Sequence, residues 1–134
     1  MIVKKIAIWL YIALLLCITL VFFRGSPYAR VELDPIASYR RAALAPADLA
    51  RIEILALAFN TAMFVPIGIL APMAFAKLTK IYLIMPAALS LTLTIETAQL
   101  LTGRGVFSVE DMLHNTAGAL VGWAIWRICS RKWR

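Results

Sequence analysis

Charge is scarce in this chain of 134 residues: 16% are Asp, Glu, Lys or Arg, against roughly 25% in an average soluble domain. Histidine occurs once, at His114, and cysteine only at Cys17 and Cys129. No metal-ligand spacing accompanies them, so the sequence calls for no metal and no cofactor. The two cysteines fall near the middle of one apolar segment and the far end of another; badly placed to pair, they read as packing residues. The chain also lacks a G-x-S-x-G elbow, an H-E-x-x-H helix and a phosphate loop, so no reaction class stands out. It has no internal repeat, no low-complexity tract and no lipidation box.

What is abundant is apolar surface. Hydrophobic residues make up 63% of the chain, and mean hydropathy is +0.85. A soluble globule this small has no interior large enough to hide them, which excludes a soluble enzyme or a large extramembrane domain. Stretches of about 20 apolar residues instead match the ~30 Å hydrocarbon core of a bilayer. Four are present, at about residues 6–23, 54–76, 81–101 and 109–128. They are continuously apolar rather than alternating, which favours helices over a closed barrel. The expected fold class is therefore all-α, an integral membrane bundle of four transmembrane helices forming one domain over residues 1–134. Pro66 and Pro72 are read as bending the second helix.

The net charge of +7 is a matter of placement. Lys4, Lys5, Lys77, Lys80, Arg127, Arg131, Lys132 and Arg134 share one side of a four-span topology, with no acid among them. The loop 24–53 and the turn at Arg104 lie on the other side, where Glu32, Asp34, Asp48 and Glu53 offset the arginines. Counting cations puts both termini in the cytoplasm and the loop 24–53 outside. The basic tail reads as an orientation signal that contacts lipid headgroups, with no nucleic-acid partner. The first segment reads as a retained anchor, since its apolar core exceeds that of a signal peptide and no A-x-A site follows. Within the loop, Asp34-Pro35 can open a short interfacial helix over 36–44, and Pro46 with Asp48 resembles another helix start.

Ionisable groups inside spans are costly, by about 2.5–3.5 kcal/mol for Asp, Lys or Arg at a helix centre. The exceptions therefore carry the information. Asn60, Glu96, Gln99, Arg104, Asp111, His114 and Asn115 come from three spans and one turn, yet all fall at the extracytoplasmic end. At about 100° per residue, Asp111, Asn115, Gly118 and Gly122 share a face that is polar outside and smooth within. Gly118-x-x-x-Gly122 lets another backbone approach closely. Thr92, Glu96 and Gln99 share a face of the third span; Asn60 and Phe64 share one of the second. Structural roles stand beside functional ones: Ser108-x-x-Asp111 fits a helix capping box, and Glu96 can pair with Arg104. The asparagines suit interhelical hydrogen bonds, and His114 an interfacial position.

These residues resemble the VanZ-like family of small bacterial membrane proteins. The resemblance lies in Asn60-x5-Pro66-x-Gly68, Glu96-x2-Gln99 and Arg104-x6-Asp111-x3-Asn115-x2-Gly118-x3-Gly122, in that order and inside hydrophobic helices. It covers about residues 54–128, while the first segment carries no signature. The family is named after a teicoplanin-resistance protein. The resemblance implies a bacterial cytoplasmic-membrane protein of the cell envelope, and it implies a fold rather than a reaction.

Two functions remain open at this level. In the first, a polar pocket at the outer face binds an envelope lipid, a lipid-linked precursor or a lipophilic glycopeptide, with membrane lipids as partners and Arg104 facing an anionic group. In the second, the protein is an intramembrane enzyme on a lipid-linked or acyl substrate, with Glu96 or Asp111 as base and His114 assisting. A small proton-coupled carrier using Glu96 is a weaker third, because four spans without a repeat are few for alternating access.

Overall fold

The computed structural model describes residues 2–22 and 30–132. Phe23, the start of the expected loop, and the terminal Trp133 and Arg134 lie outside the described residues. Helix α1 (Ile2–Cys17) runs into a π-helical turn, Ile18–Phe22. Strand β1 (Arg30–Glu32), helix α2 (Ala37–Leu44) and helix α3 (Ala47–Ala74) follow. A 3₁₀ turn (Ala76–Thr79) leads to α4 (Ile81–Thr102), then β2 (Val106–Ser108) and α5 (Val109–Lys132).

Local chemistry sets the boundaries. The Asp34 side chain accepts the Ile36 N–H at 3.1 Å, a turn that leads into α2. Pro46 forces Ala45 into an extended conformation, which ends α2, and Asp48 complements the first turn of α3. Helix therefore begins at Ala47, well before the expected start near residue 54. At 28 residues, α3 is about 42 Å long and exceeds the hydrocarbon thickness by two turns or more. Gly103, at φ 64°, adopts the left-handed conformation that stops α4 and turns the chain into Arg104.

The fold is mostly helical, with one departure from the all-α expectation. β1 and β2 pair in parallel, Val31 opposite Phe107, and pin the chain after α1 to the turn before α5. Three residues per strand leave no readable alternation. Among the described residues, three helices are long and apolar enough to cross a membrane: Ile2–Leu20, Ala47–Ala74 and Ile81–Thr102. α5 has comparable length, but Glu110, Asp111, His114, Asn115 and the basic end from Arg127 dilute its apolar stretch.

The four long helices alternate in direction, and α5 packs most extensively on α3. Glycines set that seam. A Cβ on Gly118 would collide with the Thr61 carbonyl, one on Gly122 with the Val65 carbonyl, and one on Gly68 with the Ala119 carbonyl. Backbone thus lies against backbone, as small-residue faces allow. Pro66 and Pro72 sit inside α3 on either side of Gly68 without ending the helix. Leu15, Phe64, Ile67, Ala88, Ile95 and Ala119 fill one half of the core; Ile8, Ala71, Ala74, Ile84 and Trp123 fill the other. Trp9, Leu10 and Leu14 of α1, Met85, Leu89 and Leu93 of α4, and Val121 and Ile125 of α5 face outward. In lipid these side chains meet hydrocarbon.

Candidate functional site

The starts of α3 and α5 and the ends of α1 and α4 meet at one end of the bundle. α5 packs against both α3 and α4, while α3 and α4 touch each other little. The space between them is a cavity of about 670 Å³. Asn60, Glu96, Gln99, Arg104, Asp111 and Asn115 all line it, so every polar residue singled out in the sequence except His114 converges there. Buried Phe64 and Ile95 stand beside buried Glu96 and Asn115 in its wall. Such a surface suits a molecule with a polar head and an apolar neck.

A shared helix cap organises the inner wall. Ser108 is the N-cap of α5, and its hydroxyl accepts the Asp111 N–H at 3.1 Å. In a capping box the side chain three residues on would return to the Ser108 N–H. Here Glu96 of α4 takes that place, accepting the Ser108 N–H at 2.9 Å. The Asp111 carboxylate is thereby released from capping and stands beside the Asn60 amide in the cavity. Asn115 donates through Nδ2 to Thr92 Oγ1 at 2.8 Å, joining α5 to α4. Its Oδ1 is buried with no partner among the described residues.

Gln99 and Arg104 hold the end of α1. A helix terminus leaves its last carbonyls without intrahelical donors. Gln99 Nε2 donates to the Thr19 carbonyl at 3.3 Å, and the Arg104 guanidinium to the Leu20 carbonyl at 2.6 Å. The Glu96–Arg104 pairing considered from sequence is absent: the ion pairs among the described residues are Arg40–Asp34, Arg41–Glu32 and Arg41–Glu53.

His114 lies elsewhere. Its Nδ1 is 3.1 Å from Thr61 Oγ1 on α3, and its Nε2 is 3.2 Å from the Tyr39 hydroxyl on α2. The imidazole lines a separate apolar hollow with Leu57, Ala62 and Val65. It fastens α2 to the α3–α5 seam. The trio of Glu96, Asp111 and His114 is therefore not assembled around one point.

The rim of the cavity holds residues that sequence reasoning missed. Arg41 of α2 donates Nε and Nη2 to the two oxygens of Glu53, at 3.1 and 3.2 Å, and Nη1 to Glu32 at 3.3 Å. This fork geometry is the strong form of an arginine–carboxylate pair. The Glu53 hydrogen bond raises the proton affinity of the Arg41 guanidinium above its ordinary value. Glu110, 1% exposed, accepts the Ser38 N–H at 2.8 Å and anchors the first turn of α2 from beneath.

A family model described as VanZ/LLP1 matches residues 8–130. The chain belongs to the VanZ/LLP1 family. The match takes in α1 from Ile8 onward, the rim residues on α2 and the whole cavity, beyond the 54–128 stretch that carried the sequence resemblance. No curated protein and no solved structure matches the chain. Family membership and the long apolar helices together mark a membrane protein, while its chemistry lies in the cavity residues.

Proposed function

We propose that this VanZ/LLP1 protein is a multi-pass protein of the bacterial cytoplasmic membrane that binds the polar part of an envelope lipid or lipid-linked precursor in its outward-facing cavity. The observation that carries the reading is the convergence of Asn60, Glu96, Gln99, Arg104, Asp111 and Asn115 on one cavity. Polar groups in spans are costly unless partnered or used, and five of them, joined by Arg104 from the turn after α4, around a single space of ligand size suit a common purpose. A lipophilic glycopeptide offers the same combination of polar head and apolar anchor.

In this proposal α5 is the fourth crossing and both termini are cytoplasmic. Its 24 residues are about 36 Å long, enough to span. At the end away from the cavity, cations lie over aromatic rings: Lys5 on Phe75, Lys80 on Tyr82 and Arg127 on Trp123, at 5.9, 5.7 and 4.9 Å from the ring centroids. Lysine, arginine and aromatic residues together favour a cytoplasmic interface.

The test is native mass spectrometry of the purified protein beside its Glu96→Gln and Arg104→Ala variants. Wild type is expected to retain a defined lipid that both variants lose while remaining folded. An unchanged lipid profile across the three would count against the binding role.

A further inference from the structure

Charge is unevenly distributed around the cavity. Glu32, Glu53, Glu96 and Asp111 line it with carboxyls, and Arg41 and Arg104 with guanidinium groups. Arg41 is bound to Glu32 and Glu53 at the rim, and Arg104 donates to the Leu20 carbonyl. Deeper in, neither Glu96 nor Asp111 has an ion-pair partner among the described residues. One Glu96 oxygen accepts the Ser108 N–H, and no hydrogen bond to the other occurs among the described residues.

Asn115 supplies an independent pointer to a ligand. It is 5% exposed, lines the cavity, and donates its amide to Thr92, while its Oδ1 has no donor among the described residues. A buried polar atom left unpaired is destabilising, so an unpartnered amide oxygen on a residue that shares a cavity wall with two carboxyls marks a place for a donor. Among the described residues, Glu96 receives the Ser108 N–H and Asp111 the Asn60 amide, but no positive charge reaches either carboxyl and no donor reaches Asn115 Oδ1. A phosphate brings neither.

We infer that the cavity takes a primary ammonium group, seated among Asn115 Oδ1, Glu96 and Asp111. The inference rests on the binding role proposed above and names the chemical class of the ligand. A primary ammonium has three donors for three acceptors. A quaternary ammonium has the charge without the donors, and a phosphatidylglycerol headgroup has hydroxyl donors without the positive charge. Two sources share this chemistry, an aminated lipid headgroup and a free small amine.

The test uses the full chain in mixed micelles holding equal amounts of phosphatidylethanolamine, phosphatidylcholine and phosphatidylglycerol, read by native mass spectrometry. Phosphatidylethanolamine should be retained about ten-fold over each of the others, the scale of one charge-assisted hydrogen bond. Asp111→Asn should bring the ratio close to one; the backbone N–H of Asp111, not its side chain, meets the Ser108 cap, so α5 keeps its start. Asn115→Asp, which preserves an acceptor, should keep the preference. In a parallel arm, ethanolamine alone is added to lipid-free protein in detergent. A rise in its unfolding temperature without lipid enrichment supports the ammonium and identifies a free amine as its source. Retention of phosphatidylglycerol equal to or above that of phosphatidylethanolamine overturns the ammonium assignment and leaves the binding role standing. No retained lipid and no response to ethanolamine overturns both.

Discussion

Glu96 on α4 accepts the backbone N–H of Ser108 at 2.9 Å, so a carboxyl from one helix completes the cap of the next. The bond spans the Gly103–Val106 turn and fixes the angle at which α5 leaves it. It also explains how Asp111, a residue in capping position, is released to line the cavity. One side chain thereby sets both the fold and the site.

Glu96→Leu should leave the Ser108 N–H buried without an acceptor and destabilise the protein by about 1–3 kcal/mol. Glu96→Gln retains an amide oxygen for the same bond and should unfold within a few degrees of wild type. Thermal unfolding in mild detergent measures both. Equal stability of the leucine variant would mean that the cap contributes nothing.

The α3–α5 seam makes a sharper mutational demand. Gly118→Ala and Gly122→Ala place a methyl group against the carbonyls of Thr61 and Val65, which are backbone and cannot rotate away. Overpacking of this kind costs about 1–3 kcal/mol, and the double variant should lose most of its monodisperse yield. Gly103→Ala meets no neighbour within 4 Å and should act only through its left-handed backbone, with a smaller loss. Size-exclusion profiles of the variants compare the two cases.

His114→Ala should loosen α2 without emptying the cavity. The imidazole bridges Tyr39 and Thr61, so its removal frees one attachment of α2, while Glu110 still holds Ser38 and Glu53 still holds Arg41. Hydrogen exchange is expected to rise across residues 37–44 with the retained ligand unchanged. Loss of the ligand would return His114 to the site.

These outcomes bear on what the sequence could convey. Glu96, Asp111 and Asn115 were legible because a polar residue inside an apolar run has no ordinary explanation. Arg41, Glu53 and Ser38 were hidden because charged and polar residues are unremarkable in a polar loop, and only the packing of α2 on the start of α3 brings them together at the cavity rim. The early helix start at Ala47 was partly legible in Pro46 and Asp48. His114 was read with its neighbours by depth alone. About 100° of helix rotation separates it from Asn115, which turns it to the other side of the seam. The β1–β2 pair is too short to leave a pattern.

Topology is open to direct labelling. In a Cys17→Ala, Cys129→Ala background, single cysteines at Thr102, Lys77 and Ser130 report three turns or ends. A membrane-impermeant maleimide should label position 102 in intact cells, and positions 77 and 130 only after permeabilisation. Labelling of 130 from outside would mean that α5 does not cross.

The outward cavity as a binding site is tested most directly by photo-crosslinking in native membranes. A photoreactive amino acid replaces Met63, in the cavity wall, or Leu93, on the outer face of α4. The expected result is capture of one defined envelope species at position 63 and of bulk lipid, in proportion to its abundance, at position 93. The same bulk mixture at both positions would contradict a binding site.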